Sequence, residues 1–293
     1  MPSGIIIIDK PEGWTSQDVA AKLRGVFRER RVGHGGTLDP MATGVLPVFI
    51  GRATRAVEFF ESAEKEYVAG LRLGLETNTQ DTSGETVAEA PVSVTREQVE
   101  AVLQGFLGPQ QQVPPMYSAV KIGGKKLYEL ARQGKTVERK PRDIEILELE
   151  LLDGSGADYL LRVRCSKGTY VRTLCHDIGR ALGCGGCMSS LRRTGAGCYG
   201  IGQAVTMEAL LAMENPCDRL LPVDSLFAHL PAVTVQQNQL KQIFNGAAVK
   251  MSCLNPGEYR VYGPDGTFLM VGQAKNGLLL TVKSFFEVKD LEP

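Results

Sequence analysis

A single carboxylate in a glycine- and proline-rich segment is the first candidate for chemistry in this sequence. Residues 33–47 contain four glycines and two prolines around Asp39, and His34 lies in the same segment. Glycine lets a ligand approach the backbone closely, and proline stiffens a loop. Because the segment holds no second acid, a paired-carboxylate glycosidase is not indicated here. Two interpretations remain at this point: Asp39 caps an ordinary turn, or it is a lone catalytic carboxylate.

A second dense polar segment offers a partner for that carboxylate. Residues 165–172 combine a thiol, hydroxyls, a lysine and Tyr170, and they end in Arg172 at the junction between a predicted strand and a predicted helix. An arginine beside a buried aspartate favours the ionised form of the carboxyl group. The two segments therefore predict an ion pair if the fold brings them together.

Other kinds of chemistry find little support. Residues 195–200 match the glycine spacing of a dinucleotide fingerprint, but they follow a predicted helix and turn instead of a strand, and no acid stands at the required distance. Residues 123–126 lack the upstream glycine and the hydroxyl of a phosphate-binding loop. Cys184 and Cys187 have the spacing of half a zinc site without the second half. We expect no metal, no nucleotide and no other cofactor.

Charge is balanced overall but segregated along the chain. The sequence has 33 basic and 33 acidic residues, yet residues 22–55, 121–142 and 160–193 carry net charges of +5, +6 and +6. Residues 58–100, in contrast, hold ten acidic residues against three basic ones. Any single basic run could be merely a solvated face. Three of them, each beside glycine-rich sequence, favour a polyanionic partner.

Length and composition are those of an ordinary globular protein. The 293 residues are 43% hydrophobic and 23% charged, enough for a main domain with a small appendage. No apolar run reaches the roughly 18 residues that span a bilayer, and the run at residues 5–8 is too short for a signal peptide. Seven cysteines are best interpreted as reduced thiols. These features predict a soluble cytoplasmic protein without a membrane partner.

The elements that must position the polar segments indicate an α+β fold. Capping boxes at Thr15 and Thr95 predict helices that start there, residues 109–126 are predicted to be irregular, and a helix capped by Thr234 is predicted to run to Gly246. Strands are predicted at residues 4–9, 45–50, 67–75, 144–152 and 159–165, and near 259–263, 267–273 and 277–283.

Together these segments resemble a known enzyme family, the bacterial tRNA pseudouridine synthases of the TruB type. The resemblance extends over roughly residues 4–193, and the loop around Asp39 is its most specific part. The motifs that carry it are residues 9–16, 34–47, 65–67, 114–119 with Lys121, Gly124, Tyr128 and Arg132, and 166–172. Past Pro231 the chain is only loosely similar to a PUA-type RNA-binding module.

The resemblance implies a fold and a domain division. It implies a mixed, largely antiparallel pseudouridine-synthase sheet flanked by helices in residues 1–230. Residues 121–142 would be a basic insertion that grips tRNA, and residues 231–293 a small β-rich PUA-like module. The implied partner is the T arm and T loop of tRNA, bound by a monomer.

The resemblance also implies roles for individual residues. Asp39 would be the nucleophile that isomerises the uridine at position 55, Arg172 its ion-pair partner, and Tyr67 the ring that stacks on the uracil and transfers a proton. His34 would fill the space that flipped bases vacate. Further substrate contacts would come from Tyr170, Leu191, Lys125 and Lys126.

Pseudouridylation consumes no energy and oxidises nothing, which agrees with the missing cofactor motifs. The point of attack stays open between C1′, C6 and a glycal-type elimination. Two other functions also stay open: a catalytically silent RNA-binding protein, and a hydrolase of small nucleosides with an aspartate nucleophile. An Asp–Arg pair argues against the first, and the extended basic surface against the second.

Overall fold

A ten-stranded mixed sheet dominates the computed structural model of the chain, which describes residues 2–286. In chain order, the elements up to residue 112 are β1 (Gly4–Lys10), α1 (Ser16–Phe27), β2 (Val32–His34), β3 (Thr43–Ile50), α2 (Val57–Phe60), β4 (Lys65–Leu73), β5 (Leu75–Thr77), β6 (Thr86–Glu89), α3 (Arg96–Gln104) and β7 (Gly108–Gln112). The next are β8 (Lys121–Ile122), β9 (Lys125–Lys126), α4 (Leu127–Ala131), β10 (Arg142–Ser155), β11 (Asp158–Cys165), α5 (Val171–Ala181), β12 (Gly186–Ala196), β13 (Tyr199–Gly200), β14 (Val205–Thr206) and α6 (Met207–Leu211).

The strands of this sheet follow the order β14-β1-β3-β12-β4-β11-β10-β7, with β2 paired to β3 and β13 to β12. Only the pairs β1/β14 and β3/β12 are parallel, so the sheet is largely antiparallel. The predicted α+β class, with a mixed and largely antiparallel sheet, is confirmed.

The apolar run of β1 is buried on both faces. Ile6 and Ile8 contribute to the core under α1, whereas Ile5 and Ile7 point to the opposite core, since side chains alternate along a strand. The capping box that Thr15 forms with Asp18 starts α1, as the sequence predicts. The strand and helix together fix the base of the loop that precedes β3.

Two sequence predictions about the large sheet are wrong: the irregular chain from residue 109 and the turn before residue 195. Residues 108–112 form the edge strand β7 instead of irregular chain, because they pair with β10. The stretch at residues 186–196 is a long strand, β12, which pairs with β4 through two register shifts. The glycine fingerprint at residues 195–200 thus begins on a strand, but it leads into the short strand β13 and a 3₁₀ turn instead of a helix.

A second, five-stranded sheet follows with the order β15-β17-β18-β19-β16. Its elements are β15 (Ala232–Thr234), α7 (Gln237–Phe244), β16 (Val249–Lys250), β17 (Gly257–Tyr262), β18 (Phe268–Lys275) and β19 (Leu278–Ser284). Thr234 does not cap the helix: it belongs to β15, and Gln236 and Gln239 form the capping box of α7. Residues 287–293 of the predicted module lie outside the described residues.

An aromatic cluster joins the two sheets. The ring of Phe227 lies 5.2 Å from Phe59 and 5.9 Å from Phe285, which stacks on Phe268. Arg55 adds two hydrogen bonds to Ser284. These contacts fix the small sheet against the large one. Within residues 2–286, no helix is long and apolar enough to cross a membrane.

Candidate active site

A cleft of about 1120 Å³ opens where the loop between β2 and β3 meets β4, β12 and the start of α5. It brings together six of the residues singled out in the sequence, which come from widely separated segments of the chain. They are His34, Asp39, Tyr67, Tyr170, Arg172 and Leu191.

The loop that carries Asp39 is held on both sides of the carboxylate. The ammonium of Lys10 is buried and donates hydrogen bonds to the carbonyl oxygens of Trp14 at 2.6 Å and Pro40 at 3.2 Å. The hydroxyl of Ser16 accepts a hydrogen bond from the amide of Leu38 at 2.8 Å. Both neighbours of Asp39 are therefore tied to the start of the chain, which restricts where its side chain can point.

Arg172 lies at the first turn of α5 and forms the predicted contact with Asp39. Its Nε is 2.9 Å from Oδ2 of the carboxylate, and Nη2 is 3.4 Å from Oδ1. The guanidinium is buried, with 6% of its side chain exposed, and it also donates to the carbonyl oxygens of Thr79 and Tyr117 at 3.1 and 2.9 Å. This two-point contact fixes the plane of the Asp39 carboxylate.

A second carboxylate, Asp81, shares the same guanidinium. Its Oδ2 lies 3.5 Å from Nη1 of Arg172, and its other oxygen accepts hydrogen bonds from the hydroxyl of Thr79 and from the amide and hydroxyl of Ser83. Sequence reasoning missed Asp81, since it lies in a polar loop with other acids nearby and no local pattern distinguishes it. Arg172 is therefore a buried cation with two anionic partners.

Burial governs the ionisation of Asp39. Desolvation raises the pKa of Asp39 above its ordinary value of 3.8, and the nearby Asp81 acts in the same direction. The charge of Arg172, with a smaller contribution from Lys10, opposes this rise in pKa without cancelling it. The Arg172 contact therefore keeps the carboxylate closer to its ordinary acidity than burial alone would allow.

Tyr67 lies on β4 with its side chain on the same face as Arg193 of β12, because the two residues are direct partners in the sheet register. Burial raises the pKa of the Tyr67 hydroxyl, and Arg193 opposes that rise. Tyr67 is 8% exposed and lines the cleft. An aromatic face at this depth can stack on a planar base that enters the cleft.

The remaining predicted contacts take different positions around the cleft. His34 ends β2, and burial together with Arg193 lowers its pKa, so the imidazole is neutral at neutral pH. Tyr170 precedes α5 and is fixed by backbone hydrogen bonds to the side chain of Gln112. Leu191 is buried on β12 and supplies an apolar wall.

The basic segment at residues 121–142 reaches the lining of the cleft through Tyr128 and Arg132. Lys125 and Lys126 form the short strand β9 outside the cleft, whereas Tyr128 and Arg132 line it. The ring of Tyr128 has the Lys126 ammonium 5.4 Å and the Arg132 guanidinium 5.5 Å from its centroid. These cation–π contacts join the basic surface of residues 121–142 to the rim of the cleft.

Family models match the chain along most of its length. The model described as the N-terminal domain of TruB family pseudouridylate synthase matches residues 24–171. The tRNA pseudouridylate synthase B C-terminal domain matches residues 172–228, and the C-terminal domain of pseudouridine synthase II TruB matches residues 231–281.

Curated relatives and solved structures agree. The chain is 47% identical to tRNA pseudouridine synthase B of Syntrophomonas wolfei, over 93% of this chain and 94% of the relative. It is 46% identical to tRNA pseudouridine synthase B of Azoarcus sp. (strain BH72), over 94% and 92% of the two chains. A chain in the structure of an H/ACA RNP bound to a substrate RNA containing 2′-deoxyuridine is 26% identical, with a TM-score of 0.74, over 99% of this chain and 87% of that one. The chain therefore belongs to the TruB family of tRNA pseudouridine synthases, enzymes that isomerise uridine to pseudouridine in tRNA.

Proposed function

We propose that the substrate is the uridine at position 55 in the T loop of tRNA and that Asp39 is the nucleophile. The observation that carries this proposal is the Asp39 carboxylate, held 2.9 Å from a buried guanidinium and in one cleft with Tyr67. A carboxylate with a fixed plane and direction is a nucleophile without a metal or a second acid.

The isomerisation exchanges one glycosidic bond for another and moves one proton. The N1–C1′ bond breaks, the uracil turns, and a C5–C1′ bond forms; C5 then loses its proton and N1 gains one. Atoms and electrons balance without a co-reactant. Asp39 serves by attacking C1′, by adding to C6, or by promoting elimination to a glycal.

Each residue around Asp39 acts on a separate part of this reaction. Arg172 keeps Asp39 ionised against the effect of burial and holds its orientation. Tyr67 stacks on the uracil, and its hydroxyl takes part in moving the proton from C5. Tyr170 and Leu191 complete the walls of the uridine site.

The target base has to leave its stack, at a cost of a few kcal/mol. The neutral imidazole of His34 fills the vacated space, and stacking on Tyr67 offsets part of the cost. The basic segment at residues 121–142, with Lys125 and Lys126, grips the T arm from beside the cleft, and the module at residues 231–293 adds a second RNA contact. The protein acts as a monomer in the cytoplasm.

The test is incubation with an unmodified tRNA transcript, followed by mapping of pseudouridine at single-nucleotide resolution. We expect one modified position, in the T loop. A transcript that is bound and never modified would favour the silent RNA-binding protein. Release of free uracil from nucleosides would favour the hydrolase, and modification outside the T loop would refute the proposed target.

A further inference from the structure

Arg193 is a buried cation that the roles above leave unexplained. It lies on β12 with 1% of its surface exposed and lines the cleft. Its Nε donates to the carbonyl oxygen of Val45 at 2.6 Å, and Nη2 donates to that of Gly36 at 3.1 Å. The hydroxyl of Tyr67 is a third neutral neighbour; burial raises its pKa, and the guanidinium opposes that rise. In the described part of the chain, residues 2–286, no carboxylate forms an ion pair with Arg193.

Two other arginines, Arg172 in the cleft and Arg192 outside its lining, differ from Arg193 in this respect. Arg172 contacts both Asp39 and Asp81, and Arg192 pairs with Asp9 at 2.7 Å. A buried charge is costly to a fold unless it is paired. Since Arg193 has only neutral partners, its positive charge is available to a negative charge that a bound molecule brings.

Nη1 of this guanidinium takes part in neither carbonyl hydrogen bond and lies beside Gly36 in the lining of the cleft. Gly36 has a φ of +79°, and a Cβ built on it would lie 3.3 Å from Nη1 of Arg193 and 3.6 Å from Cε of Lys65. Any other residue at position 36 would strain the backbone and cover Nη1. Two cations, Arg193 and Lys65, therefore border one corner of the cleft, beside Gly36.

Burial is the main cause that lowers the pKa of His34 and of Lys65, and the nearby charge of Arg193 acts in the same direction. A phosphodiester could supply the missing negative charge. However, Nε and Nη2 of Arg193 already donate to carbonyl oxygens, which leaves only Nη1 for a phosphate. Arg193 is paired in the sheet with Tyr67, the residue proposed to stack on the uracil. The base is therefore the part of the substrate expected to lie nearest to Arg193.

We propose that Arg193 is a further catalytic residue, whose Nη1 stabilises the negative charge that develops on the uracil during the reaction. This inference rests on the proposed role of Tyr67 in stacking the base. The negative charge is absent from the bound substrate and develops only as the reaction proceeds. A donor that is already held in position is most effective when it stabilises such a charge.

The charge appears on the uracil in each route open to Asp39. When N1–C1′ breaks by attack at C1′ or by elimination, the electron pair of the bond stays on N1 and is delocalised onto O2 and O4. When Asp39 adds to C6 instead, the electron pair of the C5–C6 double bond moves toward C5 and O4. A guanidinium at the uracil edge serves all three routes, so the proposal does not depend on which one operates.

The test compares two leaving groups in single-turnover reactions with enzyme in excess. The substrates are T-arm hairpins with uridine or 5-fluorouridine at the target position, and the readout is loss of the N1-glycoside. Fluorine stabilises the detached uracil anion, and it blocks only the later loss of a proton from C5. The variants are Arg193→Met and Arg193→Lys, with Arg192→Met as the matched control, since Arg192 lies one position earlier on β12 and outside the cleft lining.

We expect Arg193→Met to cleave uridine about 100-fold more slowly than the wild type and 5-fluorouridine about tenfold more slowly or less, with Arg193→Lys between the two proteins. Hairpin affinity should stay near the wild-type value, and Arg192→Met should behave like the wild type with both substrates. Should Arg193→Met fail to fold, the same ratio is measured with Arg193→Lys.

Equal losses with both substrates would show a purely structural role and overturn the proposal, as would an unchanged rate. A weaker affinity and a shallower salt dependence at an unchanged bound-state rate would assign Arg193 to a phosphate and overturn it as well. An Asp39→Asn enzyme is measured in parallel. Activity in that variant would refute the assignment of Asp39 as the nucleophile and would leave the comparison of uridine with 5-fluorouridine unchanged. A failure of the proposed function and a failure of the Arg193 proposal can therefore be distinguished.

Discussion

Replacing Asp39 by asparagine changes one oxygen to an amide nitrogen and keeps the size of the side chain. An amide is a very poor nucleophile, and the other carboxylate on Arg172, Asp81, is already bound by Thr79 and Ser83. We expect the single-turnover rate of pseudouridine formation to fall by about three orders of magnitude or more.

The fold should tolerate this change. An exposed ion pair contributes about 0–1 kcal/mol, whereas a buried charge left alone costs about 3–5 kcal/mol. Asp39→Asn lies near the first case, because Arg172 keeps Asp81 and two carbonyl oxygens, and because the Asp39 side chain is 37% exposed. We expect the free energy of unfolding to stay within about 1 kcal/mol of the wild type, a shift of about 2 °C in Tm.

The sign of the pH dependence follows from the raised pKa of Asp39. The folded protein holds this proton to a higher pH than the unfolded chain, whose carboxyl titrates near 3.8. As the pH rises from that value through the raised pKa, the wild type should therefore lose stability relative to Asp39→Asn, which does not titrate. The catalytic rate should rise over the same range, since only the carboxylate attacks.

The assay is pseudouridine formation on an unmodified tRNA with enzyme in excess, with Tm measured on the same preparations. Spontaneous return of the variant to aspartate is hindered, because residue 40 is proline and lacks the backbone N–H that normally closes the succinimide. Arg172→Met is the contrasting variant, since it leaves Asp39 and Asp81 uncompensated and should cost about 3–5 kcal/mol. Product formed by Asp39→Asn at close to the wild-type rate would refute the nucleophile and the mechanism based on it.

Three further variants test the surroundings of Asp39. Tyr67→Phe keeps the ring and removes the hydroxyl, so tRNA affinity should stay near normal while turnover falls by about two orders of magnitude; full activity would leave the hydroxyl without a chemical role. Alanine at Lys125, Lys126 and Lys135 together should weaken tRNA binding. The slope of log affinity against log salt concentration should become shallower by up to ~0.9 for each phosphate that the segment no longer binds. The turnover of bound tRNA should change less. An unchanged salt slope would remove the basic segment from the binding surface. Lys10→Met leaves three carbonyl oxygens without their donor, so we expect a loss of about 1–3 kcal/mol in unfolding experiments together with slower turnover; wild-type values of both would show that other hydrogen bonds hold the loop.

Local signals in the sequence predicted much of the frame around the site. Thr15 and Thr95 start helices through reciprocal capping boxes, as their spacing to Asp18 and Gln98 indicated. The β-branched run in β1 marked a strand buried on both faces. In these cases the determining interactions lie within a few residues, so the sequence pattern carries them.

The rest of the site depends on contacts between distant segments. The strand β12 was missed because its glycines and serines give no apolar alternation, and it is stabilised by pairing with β4 instead of by its own propensity. Arg193 was missed with it, since its importance comes from burial and from the lack of an acidic partner among the described residues. Asp81 looked like one acid among many until the chain placed it 3.5 Å from Arg172.

The two buried arginines of the cleft have separate tasks because their partners differ. The charge of Arg172 is neutralised by Asp39 and Asp81, so its effect is confined to holding the carboxylate in place and in its ionised form. Arg193 is held by neutral groups, so its field extends into the cleft and reaches His34, Lys65 and Tyr67. A site that must attack with an anion and also release an anion needs both arrangements. On the roles proposed above, one guanidinium is committed to the nucleophile, and the other is left free for the departing base.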